Sequence, residues 1–407
     1  MTRGYARYVL AVMIAINFLN YMDRYVGAAL VSPIQREFNI TDAQVGLLAT
    51  AFLLAIWSLA TLFSGVAANY IQLFLSRAAV GIGEASYYPA GTSLVSDYFP
   101  QEQRGRVMSI WGAGSVLGIA IAYAGGGYVA DHFGWRTAFF IAAAPGLLLA
   151  FLAFTMREPL RGSMERVGPA LKRTTDASMR TFINLMRIPT LRAAILAQTV
   201  LYFVLASNAF WLPTVLHRRF DMSVTSAGLL SGGVLVAGGL IGTLLGGWLA
   251  DRRLKAHPAA HLEVGIAGFL IGAVFITIAL VAPLYIGPVP VFVPAFLITV
   301  IALYLHSGPF TAVSQNVVSP ALRASCVTML LFVSHVFGDS HSTFDVGWIS
   351  DHVHNLQLAL LITSPTLLLV AAIVAWTGLR TVKPDIEHME AEWAARPAEV
   401  PEPAPSR

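Results

Sequence analysis

Charge is what this chain has least of. Of its 407 residues only 12% are Asp, Glu, Lys or Arg, about half the share usual in a soluble domain, while 56% are hydrophobic. That balance excludes an ordinary soluble domain and predicts an integral membrane protein. The single cysteine, Cys326, excludes an internal disulfide. Short segments of alternating polarity, which would mark a membrane barrel, are absent. So are a His-Glu-x-x-His pair, paired catalytic carboxylates and a serine-histidine arrangement at useful spacing, and nothing therefore supports an enzyme. The net charge of +4 falls mostly in loops and gives no sign of a nucleic-acid partner.

What is present is a series of apolar windows about 20 residues long, enough to span a ~30 Å hydrocarbon layer as helix. They lie near 8–30, 44–67, 72–97, 108–130, 137–156, 191–216, 225–250, 262–282, 289–317, 324–350 and 356–380. The first is full length and lacks a small-residue cleavage site, which argues against a cleavable leader. Between the fifth and sixth windows runs a polar linker carrying Arg157, Arg161, Arg166, Lys172, Arg173, Arg180 and Arg187. By the positive-inside rule it is cytoplasmic, as are "DRRLK" (Asp251–Lys255) and "EQRGR" (Glu102–Arg106). The acidic, proline-bearing end reads as disordered and cytosolic. The chain thus divides into a helical half, 1–156, a basic linker, 157–190, a second helical half, 191–380, and a tail, 381–407.

The two halves resemble each other. "VGLLATAFLLA" (Val45–Ala55) matches "AGLLSGGVLVA" (Ala227–Ala237), and "GYVADH" (Gly127–His132) matches "GWISDH" (Gly347–His352), in the same order in each half. Repeated halves are a common plan of secondary transporters, with substrate held between them. Laid over the second half, Ala51–Gly65 begins as the counterpart of the helix at 225–250 and ends as that of the helix at 262–282. The end of one helix, a loop and the start of the next are therefore missing, roughly 28 residues by the offset between the two alignments. Eleven windows then stand for twelve helices. Charge parity alone would also allow eleven helices with the N-terminus outside, a reading that Arg3 and Arg7 oppose only mildly.

Two six-helix halves, a basic central linker and a Gly-x-x-x-Asp-Arg signature at Gly247–Arg252 resemble the major facilitator superfamily. Within it, "RAAVGIGEASYYPAG" (Arg77–Gly91), "SHVFGDSHSTFDVGWISD" (Ser334–Asp351) and "NYMDR" (Asn20–Arg24) resemble the spinster lipid transporters. The resemblance implies an all-α polytopic membrane protein of twelve helices working by alternating access. It also implies that Gly247, Asp251 and Arg252 link neighbouring helices and bias the inward gate. The first-half copy of that signature is missing, and the glycines Gly118, Gly125, Gly126 and Gly127 resemble an antiporter motif without its proline. The direction of transport stays open.

Ionisable groups inside a membrane are costly, at least ~2.5–3.5 kcal/mol at a helix centre, and need a partner or water. Counted from the outer helix ends, Arg24 and Glu84 lie about 15 and 18 Å deep, so they can face one cavity. One reading has Arg24 shared between Glu84 and an anionic headgroup, with a proton on Glu84 releasing Arg24 to the substrate. The other is a structural ion pair. Asp23 points elsewhere on the helix and serves coupling or a helix contact. Asn20 joins Arg24 and Glu84 in the expected substrate site, with Asn208, Trp211, Tyr202 and Phe203 from the seventh helix and Asp339 from the eleventh. Pro89 is a candidate hinge. Arg77 is expected to snorkel to the outer interface. His335 and Asp339 share a face at i, i+4, but His341 does not, which argues against a metal. The expected coupling ion is the proton, with no other cofactor. The expected substrate is an amphipathic anionic lipid, lysophospholipid or sphingosine-phosphate-like, with small organic anions as the alternative. A monomer in a bacterial inner membrane, both termini cytoplasmic, is the expected setting; 23 arginines against three lysines suggest a GC-rich genome.

Overall fold

The computed structural model describes Tyr8, Ala11, Glu37 and residues 57–80, 101–154, 179–254, 257–281, 291–319 and 322–394; among these it is helical, with no strand. In the first half, α1 (Trp57–Val66), a helical segment over 70–80, α2 (Gln101–Phe133) and α3 (Trp135–Phe154) are seen. A short α4 (Met179–Met186) precedes the second half, which runs α5 (Pro189–Phe220), α6 (Val224–Leu254), α7 (Ala260–Val281), α8 (Val293–Tyr304) and α9 (Ser307–Asn316). It continues through α10 (Arg323–Ser334), a π-helical turn (His335–Asp339), α11 (Ser340–Val353), α12 (Leu356–Gly378) and α13 (Val382–Ala394). Among the described residues, α5, α6, α7, the α8–α9 pair and α12 are long and apolar enough to cross a membrane. Of Ala51–Gly65, where about 28 residues are expected to be missing, positions 51–56 lie outside the described residues and 57–65 belong to α1.

The breaks between helices have local causes. Gly134 takes φ +81° between α2 and α3, a conformation that costs glycine nothing, and Asp221 and His354 turn the chain in the same left-handed region. The window at 289–317 splits in two because Pro309 lacks an N–H and its ring crowds the carbonyl four residues back, Leu305. Leu305 and His306 form the break.

The core of the second half lies where α5, α7 and α12 pack, around Trp211, Phe269, Phe310 and Leu368. Leu244, Trp248, Ile373 and Trp376 point outward and are more than half exposed, the belt expected of a lipid-facing surface.

Three expectations change here. Arg77 does not snorkel: it is buried, 6% exposed, with its guanidinium 5.5 Å from the Phe139 ring, because the 70–80 segment lies against α3. The tail is not disordered over Val382–Ala394. There α13 buries Val382, and Asp385 Oδ2 accepts the Thr190 backbone N–H at 2.9 Å, so the acid caps the start of α5. Finally, at the signature loop Arg253 and His257 also reach α7, at Glu263, 3.6 and 3.1 Å away, the charge of Asp251 acts on His261 of α7, and Arg252 lies over Trp248 of its own helix. Asp251 is exposed, and a side chain at Gly247 would meet open space.

Candidate functional site

Two regions of the described structure bear on transport: the seam between the halves and a polar row inside the second half. Since α3 runs toward the linker and α5 runs away from it, the C-terminal end of α2 and the N-terminal end of α6 lie at the end remote from the linker. There the halves touch. Gly127 of α2 lies against α6 so closely that a Cβ would come within 2.6 Å of the Val224 carbonyl, and a Cβ at Gly228 would fall on the Tyr123 carbonyl. Asp131 of α2 accepts the Thr225 backbone N–H at 2.8 Å and the Thr225 hydroxyl, placing a carboxylate at the positive end of α6. A third tie comes from a missing group: Pro213 has no N–H, which leaves the Ala209 carbonyl of α5 without its helical donor. The Tyr123 hydroxyl, from the other half, donates to that carbonyl at 2.7 Å.

The polar row runs across the second half. His306, in the α8–α9 break, is buried, with Nδ1 2.6 Å from the Leu303 carbonyl oxygen. Its ring meets Tyr202 of α5 edge-on at 6.3 Å, and Tyr202 stacks on His335 at 5.3 Å. His335 Nδ1 in turn lies 2.7 Å from Asp339 Oδ2, the i, i+4 contact expected from the sequence. The π turn that carries this pair packs against α5, where a Cβ on Gly338 would come within 2.5 Å of the Thr199 carbonyl. Six residues on, the pattern recurs: His341 Nδ1 lies 2.6 Å from Asp345 Oδ2, and the Phe203 ring sits 5.7 Å from His341. Among the described residues, no three of His, Cys, Asp and Glu converge as a metal site would need.

Of the residues expected to bind substrate, carry the proton or form a hinge, Asn20, Asp23, Arg24, Glu84 and Pro89 lie outside the described residues. Asn208 and Trp211, expected on a cavity wall, sit in helix packing. Asn208 Nδ2 donates to Val204 O and to Ser364 Oγ of α12, each at 2.8 Å. Trp211 is fully buried and its Nε1 donates to the Thr343 carbonyl of α11 at 3.2 Å. Asp339 and Tyr202 do fall in one row. Sequence reading passed over His306 and Asp345. A histidine four residues from an aspartate was the signal for the second pair, whereas nothing local marks His306 as buried.

The Major Facilitator Superfamily profile matches residues 52–339. The mouse protein spinster homolog 1 is 29% identical over 398 residues, covering 87% of this chain and 74% of that protein. Those 398 positions exceed 87% of a 407-residue chain, so the mouse protein carries stretches with no counterpart here. An Arabidopsis thaliana protein described as a probable sphingolipid transporter, spinster homolog 3, is 26% identical over 432 residues, covering 90% of this chain and 83% of its own. A crystal structure of a bacterial homolog to the human lysosomal transporter Spinster, inward-facing and occupied, superposes with TM-score 0.77 at 24% identity, over 95% of this chain and 99% of that one. The chain is thus an integral membrane transporter rather than an enzyme, similar to the spinster proteins, and it belongs to the major facilitator superfamily.

Proposed function

We propose that this chain is a proton-coupled secondary transporter of amphipathic anionic lipids, lysophospholipid or sphingosine-phosphate-like, working by alternating access between its halves. The observation that carries the reading is the pair His335–Asp339, an ionisable couple at the π turn between α10 and α11, with Asp339 only 9% exposed, backed by Tyr202 and His306. Such groups are retained in membranes chiefly where ions, protons or polar headgroups pass. The closed seam at the end remote from the basic linker supports rocking of one half on the other, and with the linker cytoplasmic this is an inward-facing arrangement. The lipid class is supported by likeness to a plant protein described as a probable sphingolipid transporter. In this reading Arg24 takes the anionic headgroup and Glu84 the proton, with Asp23 serving coupling from another face of its helix, in a monomer of the bacterial inner membrane.

The test is flux of a labelled lysophospholipid in proteoliposomes of the full chain, with and without an imposed pH gradient. Gradient-driven flux is expected, and Glu84→Gln should flatten its pH dependence at least tenfold while the protein still folds. Flux of a small organic anion instead of the lysophospholipid would sink the lipid reading and leave Arg24 as a carboxylate site.

A further inference from the structure

The second His–Asp pair differs from the first in what its geometry demands. His341 Nδ1 faces Asp345 Oδ2 at 2.6 Å, and His341 Nε2 faces the Phe337 carbonyl oxygen at 3.0 Å. A carbonyl only accepts, so Nε2 carries a hydrogen. A neutral ring protonated at Nε2 presents a bare lone pair at Nδ1, and an ionised carboxylate presents another; two lone pairs do not meet at 2.6 Å. One further proton is therefore held between them, as an imidazolium with a carboxylate or as a neutral ring with a carboxylic acid. His335 makes no such demand. Its Nδ1 alone meets Asp339, and a neutral ring with the hydrogen on Nδ1 satisfies that contact.

The surroundings fit a proton site. The two side chains are 43% and 41% exposed; in the first pair His335 is 42% exposed and Asp339 9%. They open on a cleft of about 510 Å³ between α5, the π turn, α11 and α12. From α5 it is faced by Thr199, Val200 and Phe203, and from α12 by Leu367, none of them ionisable. The remaining walls are Phe337, Trp348 and Ile349, so among the described lining residues His341 and Asp345 are the only titratable ones. His335 and Asp339 lie next along their own helix. The Phe337 carbonyl belongs to the π turn, and π turns are rare and occur frequently at functional sites.

We propose that His341 and Asp345 form a proton-binding site in the second half, loaded in the conformation seen here and coupled to the π turn through the Phe337 carbonyl. On release, the proton passes to water in the cleft, and the pair changes from net neutral to net −1. One of the two ring hydrogen bonds then breaks. If it is the bond to Phe337, the turn loses a donor and the α5 contact at Gly338 is free to slide. The role in transport rests on the proton-coupled reading above; the binding of the proton does not.

The test is solid-state NMR of the full chain in liposomes, with 15N-labelled histidine and 13C-labelled aspartate at pH 7. His341→Gln assigns the ring by the resonance it removes. Where that variant does not fold, Phe203→Leu assigns it by the ring-current shift it causes. An imidazolium at His341, or a protonated carboxyl at Asp345, is expected, and in Asp345→Asn the ring should become neutral at pH 7. A neutral ring beside an ionised Asp345 in the unaltered protein would overturn the proposal. Lysophospholipid flux in the same liposomes separates the two readings. With a loaded pair and no flux, the proposed substrate fails and the proton site stands. With gradient-driven flux and an unloaded pair, the site fails and the function stands.

Discussion

Single residues carry the electrostatics of this protein, and each owes its state to one or two neighbours. Glu37 accepts from Arg136 and from the Trp135 indole N–H, the latter at 2.6 Å, and Arg136 also donates to the Ala67 carbonyl at 2.7 Å. The Arg136 hydrogen bond is the main reason the Glu37 carboxyl sits below its ordinary value of 4.5; slight burial works against it. A carboxyl whose folded value is depressed stabilises the fold above the unfolded value and loses that contribution as pH falls through the folded one. Glu37→Gln is therefore expected to lower the Tm at pH 7, with the gap from the unaltered protein closing as pH falls below about 4.5. A gap that persists undiminished at pH 3 would show that packing, not charge, joins these residues. The effect should be modest, because both partners remain more than a third exposed. Arg77 teaches the complementary lesson. A lone arginine near a helix end looks like a snorkelling residue in sequence, but the Phe139 ring that covers it comes from a helix some 60 positions away.

At the scale of the element, two prolines and a handful of glycines decide where helices break and touch. Pro309 splits one membrane helix and leaves His306 in the gap; Pro213 frees the carbonyl that Tyr123 fills from the other half. Tyr123→Phe should leave that carbonyl buried without a donor, a loss of about 1–3 kcal/mol. The closed seam would then open about 5- to 140-fold more often, given about 1.4 kcal/mol per factor of ten. Val224→Cys, buried in the closed seam, reports this by thiol labelling, since Cys326 is fully buried and silent. Equal labelling rates with and without Tyr123→Phe would mean that the glycine contact alone holds the seam. Among the described residues, helix positions were legible because windows of apolar residues about 20 long leave little choice in a membrane. The π turn and the α13 helix were not: one depends on α5 pressing against Gly338, the other on Asp385 finding the start of α5. Asn208 and Trp211 were misplaced for the same reason, since helical spacing tells which residues share a face but not which helix covers it.

For the whole molecule, the internal repeat is the strongest statement in the chain, and it has a topological consequence. Twelve spans put both termini on the side of the basic linker, whereas eleven would separate them. Fluorescent-protein fusions at either end, which fluoresce only in the cytoplasm, should both be bright; one dark end would refute the twelve-helix reading. The sequence by itself determined the membrane class, the two halves and the residue types able to carry protons or anions. Those features follow from composition, period and local charge, which act along the chain. The tertiary structure decided which of those groups meet: Asp131 with the start of α6, Tyr123 with Ala209, Tyr202 with His335, Asp385 with Thr190. It also set the two ring contacts of His341, to the Asp345 carboxylate and to the Phe337 carbonyl. Such pairings depend on distances between elements remote in sequence, and in a membrane, where apolar helices gain little by choosing one apolar neighbour over another, the small residues and the few polar groups select the partners.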